Sequence, residues 1–206
     1  MNENCKDKKP TIVVTMATSR QGSSVVRHLS KTNNYKVRAI CRNIYSDSAK
    51  KITRLPNVEL VEGDLLDKEC LIKNFKGAYG IFGNTTPTTG WKIFKGSMNS
   101  EYELKQGQNL IEAVEEANNI GFIKHFVFSS ICKAKDPLKN YPAPRHFINK
   151  WDIEELIKKR FLSPITTIIR PVSYFENFET NLPGLNISGS IFPGLLNPYT
   201  PWQTIA

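Results

Sequence analysis

Residues 11–22 read TIVVTMATSRQG, and the fold turns on them. An apolar run, Ile12-Val13-Val14, enters a short turn, and a helical pattern follows from Ser23 to Ser30. A strand that passes through a tight turn into a helix is where a dinucleotide-binding domain seats a pyrophosphate. The helix's first N–H groups lack partners there, and its N-terminus is electropositive. Such turns normally carry three glycines. Here only Gly22 is present, with Met16 and Ser19 where the first two would stand. Gly22 lets the helix pack close to the strand. Thr18 and Ser19 offer hydroxyls, Ser19 suits a helix N-cap, and Arg20 and Gln21 can reach phosphate oxygens. An ordinary strand–helix turn with Met16 filling a gap accounts for the same residues, so the loop alone leaves both readings open.

Strand and helix signals alternate along the chain on either side of this turn. Strands are expected at 11–15, 35–41, 58–62, 77–83, 125–129 and 165–170, and helices at 23–30, 48–55, 70–75, 101–118 and 150–160. The helix at 101–118 has the clearest period, with Leu104, Leu110, Ile111 and Val114 on one stripe. Strands separated by helices of this length predict an α/β fold with a doubly wound parallel sheet. Its ligand sites then lie at the carboxyl ends of the strands. From Pro183 onward Gly and Pro are frequent and helical periodicity is lost, which reads as loops with one short strand at 189–192.

The carboxyl ends of the expected strands carry the remaining chemistry. Arg42 follows the second strand, about 20 residues after the turn, where a dinucleotide site selects between ribose forms. A carboxylate there would favour NAD, whereas the planar donors of arginine suit a 2′-phosphate and favour NADP(H) over NAD(H). Gly63 and Asp64 follow the third strand. Asp64 can contact an adenine amine or cap a helix beginning near Leu66. Asn84, Thr85 and Thr86 follow the fourth strand, and Ser129 and Ser130 close the fifth. Each of these also reads as ordinary loop chemistry, with hydroxyls satisfying nearby backbone.

Composition bounds the possibilities. The chain has 206 residues, 40% hydrophobic and 23% charged, which suits one globular domain. The net charge of +9 divides into +8 over residues 1–60, −2 over 61–130 and +3 over 131–206. A basic face of this kind is either solvated or attracts polyanions. No zinc-finger spacing or RNA-binding aromatic motif accompanies it, so direct nucleic-acid binding is not expected. No apolar run approaches the ~18 residues of a membrane span, and the first ten residues, MNENCKDKKP, lack the apolar core of a signal peptide. The four cysteines, Cys5, Cys41, Cys70 and Cys132, have no CxxC spacing, so neither disulfides nor a bound metal is expected. A reducing compartment follows: the cytoplasm, or the nucleus.

The segments VVTMATSRQGSSV, KVRAICRN, VELVEGDLLD, KQGQNLIEA, HFVFSS, HFINK and IIRPVSYFENF run in order from Thr11 to Phe178. Together they resemble the NmrA-like family, atypical members of the short-chain dehydrogenase/reductase superfamily, and in particular its NADPH-sensing branch. The resemblance implies a Rossmann-like, NAD(P)-binding domain over residues 1–180, with Arg42 near the 2′-phosphate. It puts Thr18, Arg20 and Gln21 at the pyrophosphate loop, and Asn84, Thr85, Thr86 and Lys150 toward the nicotinamide. Tyr174, Phe175, Glu176 and Asn177, with Ser129, fall at the edge of a substrate or partner cleft. Residues 181–206 would begin a C-terminal substrate or partner lobe, incomplete at Ala206.

Typical enzymes of that superfamily use Tyr-x-x-x-Lys, the tyrosine giving a proton while the lysine's charge lowers its pKa. This chain reads His146-Phe147-Ile148-Asn149-Lys150. Lysine is kept and histidine replaces tyrosine, so Lys150 and His146 are the candidates for catalysis. The leading expectation is therefore an NADP(H)-binding regulatory protein that senses the cofactor and docks on a transcription-related protein partner. An NADPH-dependent reductase of quinone or phenolic substrates is the alternative, and a cofactor-free protein-binding remnant is the third.

Overall fold

The computed structural model describes residues 9–86, 100–121, 123–131 and 145–171. Strands β1 (Thr11–Val14), β2 (Lys36–Cys41) and β3 (Val58–Glu62) alternate with helices α1 (Arg20–Thr32), α2 (Asp47–Thr53) and α3 (Lys68–Phe75). Strand β4 (Gly80–Gly83), α4 (Ser100–Asn119), β5 (His125–Ser129), α5 (Arg145–Lys159) and β6 (Thr166–Ile169) follow. The six strands form one parallel sheet in the order β3-β2-β1-β4-β5-β6. The chain winds outward from β1 to β3, then crosses back to β4 on the other side of β1. That reversal leaves a crevice at the carboxyl ends of β1 and β4, as in other doubly wound sheets.

The sheet is covered on both faces, which explains its apolar strands. Alternation along each strand divides the core. Val13, Ile40 and Ile81 pack with Leu71, Phe75, Leu110, Val114, Phe126, Ile153 and Ile157 on the face covered by α3, α4 and α5. Val14, Ala39 and Phe82 pack with Val26 and Ile52 on the face covered by α1 and α2. The chain divides into two compact units, Met1–Arg170 and Pro171–Ala206, and the first carries every element named above.

Most boundaries shift by one or two residues from the sequence expectation, and four of the shifts have a local cause or a consequence for the site. α1 starts at Arg20 rather than Ser23, because the Ser19 hydroxyl caps it by accepting from Gly22 N at 3.1 Å. β4 starts at Gly80 rather than Gly77, whose φ of +72° belongs to a turn. α5 begins at Arg145, five residues ahead of Lys150. A 3-10 turn at Ser163–Ile165 delays β6 to Thr166.

Candidate functional site

The β1–α1 turn is built around one residue of unusual conformation and one glycine. Met16 has a φ of +49°, the left-handed region that glycine tolerates and other residues rarely adopt. Ala17 N donates to Ile40 O at 2.9 Å and Ser19 N donates to Met16 O at 2.9 Å, so the turn is tied to β2 and closed on itself. A Cβ at Gly22 would lie 2.2 Å from the Met16 carbonyl oxygen. Only glycine permits α1 to pack this closely. The Met16 side chain, half-buried, packs against the core under α3 and α4.

A cleft of about 170 Å³, open to solvent, lies at the carboxyl ends of β1, β2 and β3. Met16, Thr18 and Ser19 form one wall, Cys41 and Arg42 extend from β2, and Gly63 and Asp64 follow β3. Thr86 and Gln106, from β4's exit and from α4, close the far end. Arg42 is exposed, and among the described residues its guanidinium has no carboxylate partner. Asp64 does not cap α3. Its Oδ1 accepts from Leu66 N at 2.9 Å, while Asp67 Oδ1 accepts from Cys70 N and makes the cap. Burial pushes the Cys41 thiol up from its ordinary value, so it stays protonated at the cleft floor.

A second group of the expected residues lies behind this cleft. Gln21 turns its carbonyl oxygen into the protein, accepting from Ser129 Oγ at 2.7 Å and Asn84 Nδ2 at 3.2 Å. Lys150 Nζ donates to Thr85 Oγ1 at 2.8 Å, Thr85 O at 2.9 Å, Asn84 Oδ1 at 3.0 Å and Ser129 O at 3.2 Å. The Glu103 carboxylate lies 3.5 Å from the same ammonium and has no exposed surface. Burial lowers the Lys150 pKa to about 8, and Glu103 opposes that fall. Thr85 Oγ1 donates onward to Glu103 Oε1 at 3.0 Å, and Asn149 Nδ2 donates to Glu103 Oε2 at 3.4 Å. Thr86 N donates to Gln106 Oε1 at 3.0 Å, which fixes the residue where the loop meets the cleft. Ser130 N donates to Ile169 O at 2.8 Å, and its buried hydroxyl has no partner among the described residues.

The structure thus divides the expected residues in two. Thr18, Ser19, Arg42, Gly63, Asp64 and Thr86 line the cleft. Gln21, Asn84, Thr85, Ser129 and Lys150 form the network behind it, and Gly22 sets the helix between them. Arg20 is exposed at the start of α1. His146 lies in α5, one helical turn before Lys150, with its side chain outside the described residues, as are Tyr174, Phe175, Glu176 and Asn177. Sequence reasoning missed Glu103 and Gln106. A signal for them existed: the buried stripe of α4 through Ala117, Val114, Leu110 and Gly107 continues backward onto Gln106 and Glu103.

Comparison with known proteins agrees with this fold. The NmrA-like family model matches residues 8–201. An NmrA-like family domain-containing oxidoreductase, notA, from an Aspergillus species is 37% identical over 124 residues, 60% of this chain and 34% of that protein. NmrA, a negative transcriptional regulator, superposes with a TM-score of 0.65 in its complex with NAD, at 26% identity over 82% of this chain and 47% of that one. Its complex with NADP gives a TM-score of 0.62, also at 26% identity, over 79% of this chain and 45% of that one. The chain therefore spans between a third and a half of the length of these relatives. Both the family match and the sheet topology lead to one statement: the chain belongs to the NmrA-like family.

Proposed function

We propose that the chain binds a nicotinamide dinucleotide in the cleft at the carboxyl ends of β1, β2 and β3, and prefers NADP(H) to NAD(H). The observation that carries this reading is Arg42, which projects at the cleft from β2 with no carboxylate partner among the described residues. A planar guanidinium so placed suits a phosphate monoester on the adenosine ribose. The rest of the lining fits the same ligand. Thr18 and Ser19 offer hydroxyls beside the N-terminus of α1, Gly63 leaves room beside β3, and Asp64 retains an acceptor oxygen for an adenine amine. Similarity to NmrA in its complexes with NAD and NADP supports the ligand class.

The protein is then a cofactor-responsive regulator that docks on a transcription-related protein partner. Replacement of the superfamily's tyrosine by His146 and similarity to a negative transcriptional regulator support this role. When bound, the nicotinamide would supply a hydride donor or acceptor, and Lys150 and His146, at the positions of the superfamily's pair, are the candidate proton-handling groups. Relatives named as oxidoreductases favour a second reading, an NADPH-dependent reductase of quinone or phenolic substrates. Isothermal titration with NADP(H) and NAD(H), followed by NADPH consumption over a quinone panel, decides between them. Binding without turnover is the expected result. Silence of both nucleotides at millimolar concentration refutes the cofactor site, and turnover lost on Lys150→Ala establishes the reductase.

A further inference from the structure

Lys150 is the one ionisable group kept from the superfamily's catalytic pair, yet its ammonium faces the protein. Four oxygens lie within 3.2 Å of Nζ, all from Asn84, Thr85 and Ser129, and the Glu103 carboxylate stands at 3.5 Å. An ammonium has three protons, and these acceptors already exceed them. Lys150 does not line the cleft, whereas Thr86 and Gln106 do. To reach a ligand, Lys150 would abandon these bonds and leave Glu103 charged and fully buried, a costly state.

We infer that Glu103 is a positioning residue that withdraws Lys150 from the dinucleotide and makes the pair a strut for the Asn84–Thr86 loop. Thr85 is held three ways by the pair: its carbonyl and hydroxyl oxygens accept from Lys150, and its hydroxyl donates to Glu103. Gln106, one turn further along α4 on the same buried face, fixes the Thr86 N–H. The cleft wall at Thr86 is therefore set by α4 and α5 through these two side chains and Lys150. The consequence is a chain that recognises a dinucleotide without offering its lysine to chemistry. This inference rests on the dinucleotide reading of the cleft.

The test is NADPH affinity and thermal midpoint, measured together for the wild type, Glu103→Gln, Lys150→Met and the double variant. A strut predicts that Glu103→Gln weakens NADPH binding about three- to tenfold, although it frees the lysine from its carboxylate. The double variant, lacking both buried charges, recovers the melting midpoint but not the affinity. Binding by Glu103→Gln as tight as wild type, or tighter, would mean that the lysine reaches the ligand and would overturn the inference. Recovery of both affinity and midpoint in the double variant would overturn it as well, since the pair would then serve stability alone. Failure of the wild type to bind any dinucleotide refutes the reading beneath it instead.

Discussion

Replacing Gly22 by alanine tests the geometry of the β1–α1 turn most directly. The added Cβ would sit 2.2 Å from Met16 O, 2.9 Å from Met16 C and 3.1 Å from the Ala17 Cα. All three are backbone atoms, so no side-chain rotation relieves the clash. Ordinary contact begins near 3.4 Å, and α1 must retreat from the turn by roughly 1 Å to restore it. Overpacking of this kind costs about 1–3 kcal/mol. Alanine's better helix propensity returns at most ~1 kcal/mol, less at a capped first turn. A net destabilisation of about 2 kcal/mol follows, a large share of the ~5–15 kcal/mol of a whole domain.

Urea denaturation reads this out. With a slope near ~2 kcal/mol/M, the midpoint of Gly22→Ala should fall by about 1 M. Ser24→Ala, at an exposed position two residues along the same helix, is the control and should leave the midpoint in place. Retreat of α1 also carries Ser19 and Thr18 away from the cleft, so NADPH affinity should fall with stability. A Gly22→Ala midpoint equal to that of the control would refute the claim that close helix–turn packing is what this glycine serves.

The same cleft makes further predictions. Arg42→Ala should weaken NADP(H) binding by about tenfold while leaving NAD(H) unchanged, as loss of charge-assisted bonds to one phosphate requires; equal losses for both, by calorimetry, would remove Arg42 from phosphate selection. Met16→Gly should tighten dinucleotide binding and change stability by less than about 1 kcal/mol, since relief of the left-handed φ offsets lost packing; weaker binding would show that the side chain supports the site. Lys150 has its pKa lowered by burial to about 8 from 10.5, so the unfolded chain keeps this proton to higher pH. Stability should therefore be lowest below pH 8 and rise between pH 8 and 10.5 by roughly 1 kcal/mol per pH unit, a rise absent from Lys150→Met. Denaturation midpoints of the two proteins that run parallel from pH 7 to 10.5 would refute the shift.

The order of strands and helices was legible because each strand is an apolar run with branched residues and each helix shows its period. Boundaries failed where a residue type has two meanings. Gly77 opens an apolar segment, GAYGIFG, and reads as strand, but a φ of +72° spends it on the turn after α3. The expected helix at 150–160 opens at Lys150, whereas α5 has begun five residues earlier and the lysine is buried. The same ambiguity hid the inner network. A glutamate and a lysine 47 positions apart look like two solvated charges in a list of residues. Only the packing of α4 against α5 brings them within 3.5 Å and buries them, Glu103 completely and Lys150 nearly so. The cleft residues were legible for the opposite reason: all but Gln106 lie at the end of a strand or within a few residues after one, and topology alone sends strand ends to the switch point.

Why one glycine of three survives in the turn follows from what each position demands. Position 16 demands a backbone conformation. A left-handed φ costs an ordinary residue about 1–2 kcal/mol, and Met16 offsets this with a half-buried side chain packed against the core. Position 19 demands no left-handed φ at all. Its φ is −71°, and serine adds a cap that glycine lacks, accepting from Gly22 N. Position 22 demands the absence of an atom, and no side chain can offset a Cβ placed 2.2 Å from a carbonyl oxygen. Conformational demands can be met by compensation elsewhere, whereas a steric demand between backbones cannot. The residue retained is the one whose role is steric. The turn therefore keeps the close placement of α1 against it, which depends on Gly22 alone.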